Sequence, residues 1–79
     1  MDNIADVITE MMIEKLEIPA QNISLTAEYE SMELDSLSLV QLAVLLEKRY
    51  GVSVEDWEIA AEKTIENTVR LLHDKGVPS

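Results

Sequence analysis

Three observations predict an all-α fold, a small four-helix bundle of three longer helices and a short third one, with a long structured loop between the first two. Apolar residues recur at helical spacing in separate stretches, and cap and stop residues sit at the ends of those stretches. The apolar set is mostly Leu, Ile, Val, Ala and Met, with no Phe and only Trp57, Tyr29 and Tyr50 as aromatics, a palette that suits helix packing better than strands. At 79 residues the chain is read as one domain, residues 1–79. A domain this small is only marginally stabilised by apolar burial, so the 47% of residues that are hydrophobic must be used efficiently.

Ile4, Val7, Ile8, Met11, Met12 and Leu16 fall on one face of a helix placed over about residues 3–16. Asp2 or Asn3 caps it, and Pro19 bars its continuation, because the residue before a proline is pushed out of the helical region. Residues 17–34 show no sustained period. Loops of this length are uncommon inside a compact domain, so Ile18, Ile23, Leu25, Tyr29, Met32 and Leu34 are expected to pin this one to the bundle. Residues 36–50 carry the strongest helical pattern, with Asp35 as N-cap, Lys48 and Arg49 in the last turn where cations suit the helix dipole, and Gly51 as the stop. Ser53, followed by Glu55 and Asp56, is expected to start a shorter helix through about Ala61. Thr64 caps a last helix with Ile65, Val69 and Leu72 on one side, ended by Gly76 and Pro78.

Sixteen acidic residues against six basic ones give a formal charge of −10, which repels nucleic acid and anionic membranes and favours partners with basic surfaces. The charge is uneven. Residues 1–35 hold nine acids and only Lys15, while residues 52–62 hold Glu55, Asp56, Glu58 and Glu62 with no base. The absence of cysteine rules out a disulfide framework and thiolate metal ligands, and any thiol chemistry needs a thiol from outside the sequence. No run approaches the roughly 18 apolar residues of a membrane span, and no cationic start marks a targeting segment; a soluble, cytoplasmic monomer is expected.

At about 100° per residue, Leu39, Leu42, Ala43, Leu46 and Tyr50 cluster in one arc of the 36–50 helix, the expected core stripe. Leu37, Val40 and Val44 form a second stripe more than about 90° away, edged by Ser36 and Glu47 on one side and by Gln41 and Lys48 on the other. One helix in a bundle seldom buries both. Either the second stripe packs under the 17–34 loop, Val44 above all, or it is a partner-facing patch; Leu37 and Val40 are expected to be exposed.

Asp-Ser-Leu alone is weak, since a Ser at a helix start is most often only a cap. The wider run Leu34-Asp35-Ser36-Leu37-Ser38-Leu39-Val40-Gln41-Leu42, followed by Leu45-Leu46-Glu47-Lys48-Arg49-Tyr50-Gly51-Val52, closely resembles the acyl carrier protein and phosphopantetheine-attachment family. The resemblance covers essentially the whole chain, through to the entry of the last helix at Lys63-Thr64-Ile65. It implies a non-enzymatic carrier whose Ser36, beside Asp35 and Leu37, receives 4′-phosphopantetheine from coenzyme A by way of a phosphopantetheinyl transferase. Acyl or aminoacyl groups would then be held as thioesters on a thiol that the sequence lacks. The free N–H groups and partial positive charge of a helix N-terminus suit such a phosphodiester.

Two departures from the family pattern matter. Glu33 stands where members often have Gly, so the turn into the helix is expected to be shaped differently, and Ser38 and Gln41 occupy positions that are commonly acidic. Partner enzymes with basic docking surfaces, including loading enzymes and synthases, are therefore expected to read Glu33, Asp35, Glu47, Glu55, Asp56 and Glu58 together with Leu37, Val40, Gln41 and Val44. The same departures favour polyketide, nonribosomal peptide or related specialised biosynthesis over housekeeping fatty acid synthesis. The alternative of a different class is a helical scaffold protein in which Ser36 is only a cap or a phosphorylation site.

No catalytic or metal-binding residue is expected. His73 is the only histidine and is read as a surface residue, while Glu55, Asp56 and Glu58 lack the spacing and glycine of a calcium loop. Trp57 is expected to anchor in the core, or else to form a lid over an apolar cargo pocket. Met11, Met12 and Met32 are expected inside, where flexible thioethers leave room for the cargo cavity between helices that the resemblance implies for fatty acyl carriers.

Overall fold

The computed structural model describes residues 3–78, so Asp2 as a cap lies outside the described residues. Its helices are α1 (Ile4–Glu14), α2 (Ser36–Tyr50), α3 (Asp56–Glu62) and α4 (Ile65–Asp74), and the described residues contain no strand beyond an isolated bridge between Glu28 and Thr64. Asn3 caps α1, its Oδ1 accepting from the Asp6 N–H at 2.9 Å. The helix ends two residues before Leu16. There the Lys15 and Leu16 N–H groups both fold back on the Met11 carbonyl, and Glu17 turns left-handed at φ 57°. At the far end of the fold, Gly76 takes φ 96° and its N–H donates to the His73 carbonyl. The Val77 N–H then reaches the Leu72 carbonyl, a closure that sends Val77 into the core.

Ile4, Ile8 and Met12 of α1, Leu42 and Leu46 of α2, Ile59 of α3, and Ile65 and Leu72 of α4 are buried together. The long segment between α1 and α2 adds Tyr29, Met32 and Leu34 to this core and forms two 3-10 turns, Ala20–Asn22 and Tyr29–Met32. It is fastened by backbone bonds from the Tyr29 N–H to the Lys63 carbonyl, 2.8 Å, and from the Glu66 N–H to the Leu25 carbonyl, 3.0 Å. Leu25 serves only through its backbone, since its side chain is exposed.

One buried polar pair crosses this core. The Thr68 hydroxyl donates its proton to the Thr64 carbonyl at 2.8 Å, so in its contact with Tyr29 it accepts from the phenol. Burial, with the nearby negative charge of Glu62 adding to it, pushes the Tyr29 phenol up to about 12. Thr68 lies at i+3 from Ile65 on the buried side of α4, where Val69 is only partly buried.

Two local expectations are corrected. Ser53 is exposed and caps nothing, because the buried Val54 must stay outside the helix to reach the core. Glu55 caps α3 instead, in a capping box with Glu58. Trp57 is 66% exposed, not a core anchor. The seven-residue α3 buries Ile59, and a residue two positions away lies about 200° around the helix from it. Met12 and Met32 are buried as expected, and Met11 packs at the edge of the core.

Candidate functional site

The approach to α2 is set by one buried side chain between a left-handed residue and an extended N-cap. Glu33 adopts the left-handed conformation, φ 64° and ψ 28°, and closes the Tyr29–Met32 turn. Glycine serves such a position best, and a side chain there costs about 1 kcal/mol. The left-handed step is thus present although the residue is Glu. Leu34 then drops into the core, and Asp35 follows in extended geometry, so the chain enters α2 with Ser36 on the outside.

Asp35 is the N-cap, its Oδ1 accepting from the Ser38 N–H at 2.9 Å. That backbone bond first, and the Ser38 hydroxyl second, hold its carboxyl below the usual carboxylate range. Ser36 is the first helical residue and is exposed. Capping belongs to its neighbour Asp35. The first turn of this 15-residue helix also presents the positive end of its dipole on that side.

A groove of about 390 Å³ opens beside Ser36 between α2, α3 and the loop. Ser36, Asp35 and Leu39 line it from α2 and its cap, Ala60 and Lys63 from α3 and its end, and Glu28, Tyr29, Glu30 and Leu34 from the loop. The loop and α3 contributions were not anticipated from the sequence. The one local clue was Lys63, which precedes the Thr64 cap and proves to be left-handed at φ 70°.

The second stripe of α2 is open to solvent. Leu37 is 64%, Val40 42% and Val44 46% exposed, so the loop does not cover Val44. Gln41 and Glu47 flank the stripe and are exposed, as are Glu33 and Asp35 before the helix and Glu55 before α3; Asp56 is half-buried. Glu58 stands apart from these acids. Its Oε1 accepts from the Glu55 N–H at 3.0 Å and its Oε2 pairs with Lys75 Nζ at 3.0 Å, joining α3 to the end of α4. Those two contacts, the Glu55 bond foremost, hold its carboxyl low. Glu58, which the sequence offers as a docking charge, thus also joins two elements of the fold.

Among the described residues no group of His, Cys, Asp or Glu could hold a metal ion, and no helix is long and apolar enough to cross a membrane. A family profile described as a phosphopantetheine attachment site matches residues 6–72, from within α1 to the buried Leu72 of α4. The chain belongs to that family. Proteins named acyl carrier protein are similar over most of their length. The one from Petrotoga mobilis is 33% identical over 75 residues, 94% of this chain and 88% of its own. The one from Phytoplasma australiense is 35% identical over 63 residues, 78% and 83% of the two chains, and the one from Rickettsia massiliae 28% over 75 residues, 94% and 87%. Family membership brings with it a covalent 4′-phosphopantetheine and the role of an acyl carrier, served by phosphopantetheinyl transferases and biosynthetic enzymes. The exposed serine hydroxyl, the helix N-terminus behind it and the open groove beside it fit such a group.

Proposed function

We propose that Ser36 is the attachment residue and that the chain presents acyl or aminoacyl thioesters from it to partner enzymes of polyketide, nonribosomal peptide or related specialised biosynthesis. The observation that carries this reading is the division of labour at the start of α2, where Asp35 caps the helix and Ser36 stands outside with its hydroxyl uncommitted. In the loading step the Ser36 oxygen attacks the phosphorus of coenzyme A that bears the pantetheine. A phosphodiester forms, the adenosine bisphosphate leaves, and the serine proton passes to a base on the transferase. Once attached, the group supplies the thiol that the cysteine-free chain lacks. Asp35 keeps the first turn of α2 in place during this exchange, and the lowering of its pKa by the Ser38 bonds keeps the cap ionised further into acid than an ordinary carboxylate.

Leu37, Val40 and Val44 form the apolar strip on which a partner lands, with Gln41, Glu47, Glu33, Asp35, Glu55 and Asp56 around it. Lys48 and Arg49 in the last turn of α2 set a cationic end against the acidic approach to Ser36. This mixed face supports a partner set distinct from one that reads a continuous acidic helix, and with it the specialised role. Intact mass before and after incubation with coenzyme A and several broad-specificity phosphopantetheinyl transferases tests the attachment. A mass gain abolished by Ser36→Ala is expected, and no gain with any of the transferases refutes it. Identifying the acyl group on protein purified from its own source decides the pathway, and a fatty acid elongation intermediate as the only cargo overturns the specialised role.

A further inference from the structure

Of the chain's six basic residues, one lines the groove beside Ser36. Lys63 stands there with Glu28, Glu30 and Asp35, so the lining carries three acids and a single cation. The other basic residues are placed elsewhere. Lys48 and Arg49 lie in the last turn of α2, about 18–20 Å from the serine at the rise of an α-helix. Lys75 is paired with Glu58, Lys15 lines a groove between α1 and α2, and Arg70 is on α4.

The Lys63 backbone is fixed on both sides. Its carbonyl accepts from the Tyr29 N–H at 2.8 Å, and its own N–H reaches the Ile59 carbonyl at 3.2 Å, closing α3. Between these bonds the residue is left-handed at φ 70°, a conformation that glycine takes freely and a side chain does not. Strain of this kind is found preferentially at binding and active sites. The Lys63 ammonium has no ion pair or hydrogen bond with any described residue. A cation at this place suits the dipole of α3, but that helix has only seven residues, and such a role needs no groove.

We propose that Lys63 is a positioning residue that supplies the counter-charge for the phosphodiester formed at Ser36 and so holds the root of the arm on the α3 side of α2. This rests on Ser36 being the attachment residue. Modification adds a negative charge to a lining that already has three, and Lys63 is the one basic side chain there to offset it. Lysine suits the task, because its flexible stem brings a compact charge to a phosphate whose place is set by the serine.

The test crosses modification with substitution. The chain and its Lys63→Gly, Lys63→Arg and Lys48→Gln variants are incubated with coenzyme A and a broad-specificity transferase, and intact mass is recorded first. A wild-type chain that gains no mass refutes the attachment reading and this proposal with it. Unfolding in urea is then followed for the apo and loaded forms of each. Relief of the left-handed backbone in Lys63→Gly is common to both forms and cancels, which leaves the coupling between side chain and phosphate. Loading should favour the folded state about two- to five-fold more in the wild type than in Lys63→Gly, the range of an exposed ion pair. That coupling should survive Lys63→Arg and vanish in about 1 M salt, where the screening length is about 3 Å. Lys48→Gln, which removes a distant charge, should leave it unchanged. The side-chain methylene protons of Lys63 should move in NMR spectra between apo and loaded wild type, and the phosphorus resonance should move on Lys63→Gly but not on Lys48→Gln. Equal responses of apo and loaded forms to Lys63→Gly, an equal coupling from Lys48→Gln, or Lys63 protons unmoved by loading overturn the pairing and leave Ser36 standing as the attachment residue.

Discussion

The inner and outer stripes of α2 are both built from aliphatic residues, yet Leu42 and Leu46 have no solvent exposure and Leu37 is 64% exposed. The difference is supplied by neighbours. Inward, α1, α3, α4 and the Tyr29–Leu34 segment close over the helix; outward nothing among the described residues does. Hydrophobicity thus fixes which residues are able to form a core, and the packing of other elements decides which stripe becomes one. The stripe left over is available for docking.

The most direct way to break this contrast is to truncate each stripe in turn. Leu42→Ala removes a fully buried side chain and should lower stability by about 2–5 kcal/mol in urea denaturation. A cost below about 1 kcal/mol would mean that the inner stripe is not the core. Titration to high pH probes the loop that covers the inner side. The Tyr29 phenol is raised to about 12 in the fold against about 10 when unfolded, so its contribution is intact below pH 10 and is lost as pH rises towards 12. About 2–3 kcal/mol should disappear over that window, and Tyr29→Phe should flatten the decline.

Smaller effects separate shape from contact. Glu33→Gly relieves a left-handed side chain at the entrance to α2 and should raise stability by about 0.5–1 kcal/mol without changing the mass gain at Ser36. A loss of stability would show that the Glu33 side chain makes a contact worth more than its strain. Leu37→Ala should change stability by less than about 0.5 kcal/mol and yet slow acyl transfer to a cognate partner about ten-fold, the size of a modest interface anchor. Equal transfer rates would remove Leu37 from the docking strip.

Most of the architecture was legible because its signals are local. Asn3, Asp35, Thr64, Gly51 and Gly76 each mark a helix end within a few residues of the contact they make. The two stripes of α2 also follow from spacing alone. What could not be read depends on partners far along the chain. Glu58 meets Lys75, Tyr29 meets Thr68, and Lys63 and Ala60 come beside Ser36 only when α3 folds back across α2. Trp57 was misplaced for a related reason. Its size argued for burial, but α3 is too short to bury two faces, and Ile59 takes the inner one.

That outward ring makes the molecule its own optical reporter. Trp57 is the sole tryptophan of the sequence and is two-thirds exposed on α3. Its fluorescence in the free chain is expected to be that of a largely solvated indole, open to acrylamide quenching. An enzyme that settles over α3 shields the ring and shifts its emission to shorter wavelength, whereas one that touches only the α1 side of α2 leaves the signal unchanged. With a partner whose own tryptophans are replaced, docking can therefore be mapped by emission colour, without a label attached to either protein.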